Sequence, residues 1–183
     1  MARSKDEVLR LVAQAQTGDA EAFGVIYTEF LNPIFRFIRM QVRDQADAED
    51  LTQEVFVKAF SRLDQFGKNG NNFSAWLYQI ARTTVLDWYK KKKMVIVDDP
   101  DEVFGNLVSP HGNPLVLNLA REQEVVVKEA LALLGHTDRE VLVLYYVSEL
   151  SHTEIAAALD LTEDAVRQRK SRALKSLKKL LGR

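Results

Sequence analysis

SHTEIAAALDLTEDAVRQRKSRALKSL, residues 151–177, reads as helix, short turn, helix. Ser151 and Glu154 form a capping box that starts a helix over about 152–159. Thr162 caps a second helix over about 163–181. Ala156 is small where the two helices must touch, and Val166 points back into the core. Asp160 and Leu161 make the turn between them. This arrangement is a helix-turn-helix, which fixes two helices at a steep angle. The second helix can then enter a major groove with its N-terminal residues on base edges. Arg167, Gln168 and Arg172 lie near that end, with Arg169 and Ser171 beside them. Arg can bond guanine bidentately and Gln can do the same with adenine. Lys175, Lys178 and Lys179 lie further along, where phosphates are the expected partners. Residues 165–183 hold eight bases and no acid. A solvated basic face on an ordinary helical hairpin is the competing reading. An acid-free tail after two capped helices favours DNA.

Upstream of this motif the periodicity is helical throughout, without a convincing alternating strand. One helix is expected over about 121–134, and another over about 138–147 behind a Thr137–Glu140 capping box. Residues 94–120 change character: Pro100, Pro110, Pro114, Gly105 and Gly112 fall here, and residues 94–119 hold four acids and no Lys or Arg. They read as a linker. Further back, helices are expected over about 5–16, stopping at Gly18; 20–42, capped by Asp19; 46–65; and 73–92. Pro33 is expected to break or kink the second. The apolar faces are Phe23, Ile26, Tyr27, Phe30, Ile34, Phe37 and Ile38, then Leu51, Val55, Ala59 and Leu63, then Phe73, Leu77, Ile80 and Thr84. The fold class is all-α: two small helical domains, 1–93 and 121–183, joined by a flexible linker.

Composition narrows the function. The chain of 183 residues has no cysteine, which excludes disulfides and thiolate metal sites. His111, His136 and His152 have no ligand spacing. No apolar run approaches a bilayer span, and the charged start is no signal peptide, so a soluble cytoplasmic protein without direct membrane insertion is expected. No nucleophile–base pair, phosphate-cradling loop or metal cluster is visible. The expectation is binding rather than catalysis, with no cofactor and no small-molecule substrate.

Two N-terminal segments carry chemistry. In the 46–65 helix Asp47, Asp50 and Glu54 share one face, with Glu49 and Gln53 alongside. They are open to three readings: a solvated face, a metal site, or a docking surface for a basic partner. The segment 73–93 interleaves Phe73, Trp76, Tyr78, Trp88 and Tyr89 with Arg82 and Lys90–Lys93. Aromatic faces among cations suit single-stranded nucleic acid. Trp76 reads first as core. The segment GKNGNN, 67–72, is a turn-rich loop.

Taken together, DAEDLTQEVFVKAF (47–60), FSAWLYQIARTTVLDW (73–88) and the helix-turn-helix at 151–174 resemble the sigma-70 family, in its compact extracytoplasmic-function (ECF) group. The resemblance covers about 19–93 and 121–181. It implies a sigma factor that binds core RNA polymerase and promoter DNA and directs transcription initiation in the bacterial cytoplasm. It implies that 1–93 docks on polymerase through Asp50, Gln53 and Glu54 and melts the −10 element, and that 121–183 reads the −35 element. Lys68, Asn69, Asn71, Asn72, Trp76, Arg82, Thr83, Lys90 and Lys91 match the −10 side. Arg167, Gln168, Arg169, Ser171, Arg172 and Lys175 match the −35 side. An anti-sigma factor as a partner fits the family, though no residue identifies one. Thr83 stands where the group often has Asn, and Asp160 where a Gly is usual; Asp tolerates the left-handed conformation that such a turn needs. Two rivals remain at this level. A conventional helix-turn-helix regulator with an N-terminal sensor domain shares the C-terminal signal, and a metal nuclease would use Asp47, Asp50 and Glu54.

Overall fold

The computed structural model describes residues 3–67, 72–94 and 119–182, excluding the side chains of 93, 94 and 119–124. Four helices form the N-terminal half: α1 (Lys5–Gln16), α2 (Ala20–Arg39), α3 (Gln45–Ser61) and α4 (Phe73–Met94). A single 3-10 turn, Leu63–Gln65, follows α3. Four more form the C-terminal half: α5 (Leu119–Ala132), α6 (His136–Tyr146), α7 (His152–Leu159) and α8 (Glu163–Leu180). The expected 94–120 linker lies almost wholly outside the described residues.

In the first half each helix packs on the next in sequence: α1 on α2, α2 on α3, α3 on α4. Short connections leave antiparallel packing as the easy solution. Asp19 caps α2 by accepting from the backbone N–H groups of Glu21 and Ala22, at 3.0 and 3.1 Å. Gly18 turns the chain out of α1 at φ +98°, a region open to glycine. Ile26, Ile34, Phe37 and Ile38 of α2, Leu51, Val55 and Ala59 of α3, and Phe73, Leu77 and Ile80 of α4 are all buried. The expected faces thus supply the core, with Phe23, Tyr27 and Phe30 of α2 only partly buried against it. Burying one such aliphatic or aromatic side chain is worth about 1.5–3 kcal/mol.

Three expectations are corrected. Pro33 lies inside α2, which runs through it to Arg39. Neither a break there nor an extension to residue 42 is found. Helix α3 ends at Ser61, its last expected turn being the 3-10 segment. The Thr137–Glu140 capping box does not form: Gly135 is the N-cap of α6, with no side-chain cap. Glu140 is instead fully buried (0% exposed), with Arg82 of α4 at 2.9 Å and His136 at 3.2 Å. A partner from the other half of the chain outcompetes the local cap.

In the second half α7 and α8 form the helix-turn-helix, and both pack on α6. The Ser151–Glu154 capping box is present with both reciprocal bonds. Thr162 caps α8 through the Ala165 N–H at 3.2 Å. Asp160 takes the left-handed conformation, φ 55° and ψ 50°. Val166 is fully buried and Ala156 nearly so.

Candidate nucleic-acid interface

Helix α8 buries Val166 and Ala173, one turn pair apart, and with them the stripe that meets α6 and α7. The geometry then assigns the outward face. Gln168, Ser171, Arg172 and Lys175 are all exposed and share one side at i, i+3, i+4 and i+7. Arg172 makes no ion pair among the described residues. Arg167 is exposed but donates to Glu163 one turn earlier at 2.8 Å. Arg169 turns inward and donates to Asp138 of α6 at 2.9 Å. Lys170 lies over the Tyr145 ring, 3.7 Å from its centroid. Four of the six expected −35 residues therefore share a free face, one is locally paired, and Arg169 braces the helix against its support.

The helix starts are electrostatically set. Burial alone would push the Glu154 carboxyl up; hydrogen bonds from the Ser151 side chain and backbone, with Lys5 nearby, overcome it and hold the group below the usual range. The Thr153 and Arg167 side chains hold the Glu163 carboxyl low in the same way. Both acids stand in first helical turns, where a negative charge is favoured.

On α3 the residues Asp50, Gln53 and Glu54 are exposed together. Glu54 pairs with Lys58 at 2.7 Å across one turn. Asp47 is drawn off to Lys92 of α4 at 3.2 Å, so it tethers two helices rather than joining that face. The outward stripe continues with two residues that the sequence reading passed over. Val57 is 68% exposed and Phe60 58% exposed. Phe60 leans edge-on against Phe23 of α2, with centroids 4.9 Å apart. The signal was present in the sequence: two apolar residues at i+4 and i+7 from Gln53, where a solvated face should stay polar.

On α4 the expected residues separate. Asn72 accepts a hydrogen bond from the Ala75 N–H at 3.0 Å and so serves as the helix cap. Trp76 is half-buried, its ring 5.5 Å from both Phe66 and Phe73. The Thr83 hydroxyl donates back to the carbonyls of Gln79 and Ile80 at 3.0 Å. Lys90 and Lys91 are exposed at the far end, Lys90 beside Asp87 at 3.5 Å. Trp76, Thr83 and Lys90 lie at i, i+7 and i+14, along one side of the helix. Arg82, next to Thr83, reaches into the C-terminal half to meet Glu140. Lys68, Asn69 and Asn71 lie outside the described residues.

Two family models match the chain: Sigma-70 region 2 over residues 26–94, and Sigma-70, region 4 over residues 130–179. The sequence is 30% identical over 161 residues to the ECF RNA polymerase sigma factor SigM of Bacillus subtilis, covering 86% of this chain and 94% of that one. It is 31% identical over 175 residues to the ECF RNA polymerase sigma factor BldN of Streptomyces coelicolor, covering 95% of this chain but only 66% of the relative. The chain thus spans just under two thirds of that relative's length. Among solved structures, CnrH in complex with the cytosolic domain of CnrY superposes with a TM-score of 0.75 at 28% identity, over 96% of this chain and 97% of that one.

Proposed function

This chain belongs to the sigma-70 family, in its ECF group, and from that membership we propose that it acts as a promoter-specificity factor for bacterial core RNA polymerase. It works in the cytoplasm, where polymerase and template meet, and among the described residues no helix is long and apolar enough to cross a membrane. The observation that carries the reading is the outward face of α8. Gln168, Ser171, Arg172 and Lys175 stand exposed together on the second helix of a helix-turn-helix, in the same chain as an exposed acidic and apolar stripe on α3.

The work is binding throughout. Asp50, Gln53 and Glu54, extended by Val57 and Phe60, form a surface whose charges select a basic partner and whose apolar end supplies buried area; core polymerase is that partner. Trp76, Arg82, Thr83, Lys90 and Lys91, with the 67–72 loop, take the melted −10 strand. Unstacking a base costs about a few kcal/mol. Aromatic faces and cations offset that cost on a single strand. Gln168 and Arg172 read the −35 duplex, while Lys175 holds phosphate. The division places residues 1–93 on polymerase and the −10 element, and 121–183 on the −35 element. An anti-sigma factor is a further partner of this reading; CnrH is solved with the cytosolic domain of CnrY.

The regulator with a sensor domain has no counterpart for the region 2 match over 26–94. The test is run-off transcription with purified core enzyme. Promoter-dependent transcripts that require this chain are expected. Non-specific transcription, unchanged by adding the protein, would end the proposal.

A further inference from the structure

Helix α8 carries four cations between Arg167 and Arg172, and the fold gives them different work. Arg169 and Lys170 are turned to α6, the first on Asp138 and the second over the Tyr145 ring. Arg167 is the intermediate case. Its side chain is 55% exposed, yet it donates from Nη2 to Glu163 Oε2 at 2.8 Å. The other oxygen of that carboxylate, Oε1, accepts from the Thr153 hydroxyl of α7 at 2.7 Å. Glu163 is therefore held from both helices of the helix-turn-helix.

A lone pair of long side chains one turn apart on a helix surface is loosely held. The Thr153 bond changes that, because it removes rotations by which Glu163 would follow the guanidinium into solvent. Glu163 is the first residue of α8, and Glu163, Arg167 and Ser171 follow one another at i, i+4 and i+8. Ser171 belongs to the exposed face with Gln168 and Arg172, so Arg167 borders that face. It does so at the end of the helix that meets base edges in a major groove. The pairing leaves the guanidinium its chemistry. Of its five N–H donors the Glu163 bond uses one. The second Nη2 hydrogen and those of Nη1 remain for the two acceptors on a guanine edge.

We propose that Glu163 is a positioning residue for promoter reading: pinned by Thr153, it holds Arg167 aimed at one base pair of the −35 duplex. This rests on the proposed −35 role of α8 and adds Arg167 to the residues that read it. An ordered guanidinium loses less freedom on binding than a free one, which favours the matching base. The carboxylate has a second effect of opposite sign. It brings a negative charge close to phosphates, which weakens binding to every duplex alike. Glu163 thus raises selectivity while lowering general affinity.

The two opposed effects can be read separately. The full chain with purified core polymerase would transcribe a pool of barcoded templates randomised across the promoter. Arg167→Ala should flatten the base preference at one −35 position by about five-fold or more, the discrimination that a bidentate contact supplies. Glu163→Gln should flatten the same position by roughly two- to five-fold and leave the other positions as in the parent. It should also tighten binding of the full chain to a labelled mixed-sequence duplex, with the largest gain at low salt. Thr153→Val keeps the carboxylate, so it should flatten that position without tightening general binding. It also keeps the readout if Glu163→Gln folds poorly. In an Arg167→Ala background neither change should lower the preference further. The proposal is overturned if Arg167→Ala flattens no position, or if neither Glu163→Gln nor Thr153→Val touches the one it flattens. A uniform loss over all −35 positions would overturn it too, since mere support of the helix predicts that pattern. Absence of any transcript that requires this chain would instead sink the sigma reading.

Discussion

Ser151 shows how one hydroxyl sets a helix. Its Oγ accepts from the Glu154 N–H at 3.2 Å and donates to the Glu154 carboxylate at 2.6 Å. Ser151→Ala should cost about 1 kcal/mol of stability at neutral pH. The sign of the pH dependence follows from the depressed Glu154 carboxyl. A group lowered on folding contributes above its unfolded value and loses that contribution as pH falls through its folded one. The gap between parent and Ser151→Ala should therefore narrow in acid, once Glu154 is protonated in both and only the backbone cap bond still distinguishes them. Thermal melts at neutral pH and below the carboxylate range would check this; a constant gap would contradict it. Arg172 tests recognition at the same scale. Because it has no acidic partner among the described residues, Arg172→Ala should leave the fold intact. On promoter DNA it should cost about 1–3 kcal/mol and relax selectivity at a single −35 base, whereas Lys178→Ala should weaken all sequences alike and flatten the salt dependence. Equal loss for Arg172→Ala on every −35 variant, in transcription at two salt concentrations, would remove α8 from the groove.

At the scale of elements, α3 carries the sharpest expectation. Asp50 and Glu54 are exposed; Glu54 holds Lys58, which in turn donates to the buried Thr84 hydroxyl at 3.1 Å. Lysine at both positions should reverse the face and weaken core polymerase binding strongly, with helicity unchanged by circular dichroism. The Glu54–Lys58 pair lost in the process is a surface pair worth about 0.3–0.5 kcal/mol, too little to unfold the domain. Undiminished polymerase binding in a titration would move the docking surface elsewhere. Elements such as these were legible in the sequence because their signals are local. Asp19, Ser151 and Thr162 mark helix starts through bonds to neighbours two or three residues on, and all three were read correctly. Thr137 and Glu140 have the same spacing and failed. The glutamate found Arg82, 58 positions away, which no local pattern could announce. Val57 and Phe60 were passed over for a different reason: they fit a helical stripe whose outward side carried acids.

At the scale of the whole molecule, the docking of the two halves was invisible in the sequence, since its bonds pair residues on opposite sides of the acidic 94–119 stretch. Tyr78 offers a way to watch that docking. Its ring packs edge-on against Phe37, 5.3 Å between centroids, and its hydroxyl faces the seam with the C-terminal half. Burial pushes the phenol up to about 12, with Ser148 and Arg36 opposing and Glu154 adding to it. A raised phenol favours the neutral form in the closed state. Its contribution to closure is complete below the ordinary value of 10.0 and disappears as pH rises through about 12. The informative comparison is between the parent and Tyr78→Phe. The phenylalanine keeps the ring packing and removes the hydroxyl that interacts with Ser148, so closure at neutral pH should be equal or slightly weaker. In alkali the variant has no phenol to ionise and should stay compact to higher pH than the parent. The radius of gyration from small-angle scattering, followed through this range, reads the difference directly. If both proteins expanded at the same pH, ionisation of Tyr78 would not be what opens the seam, and the closed state would depend on its ion pairs alone.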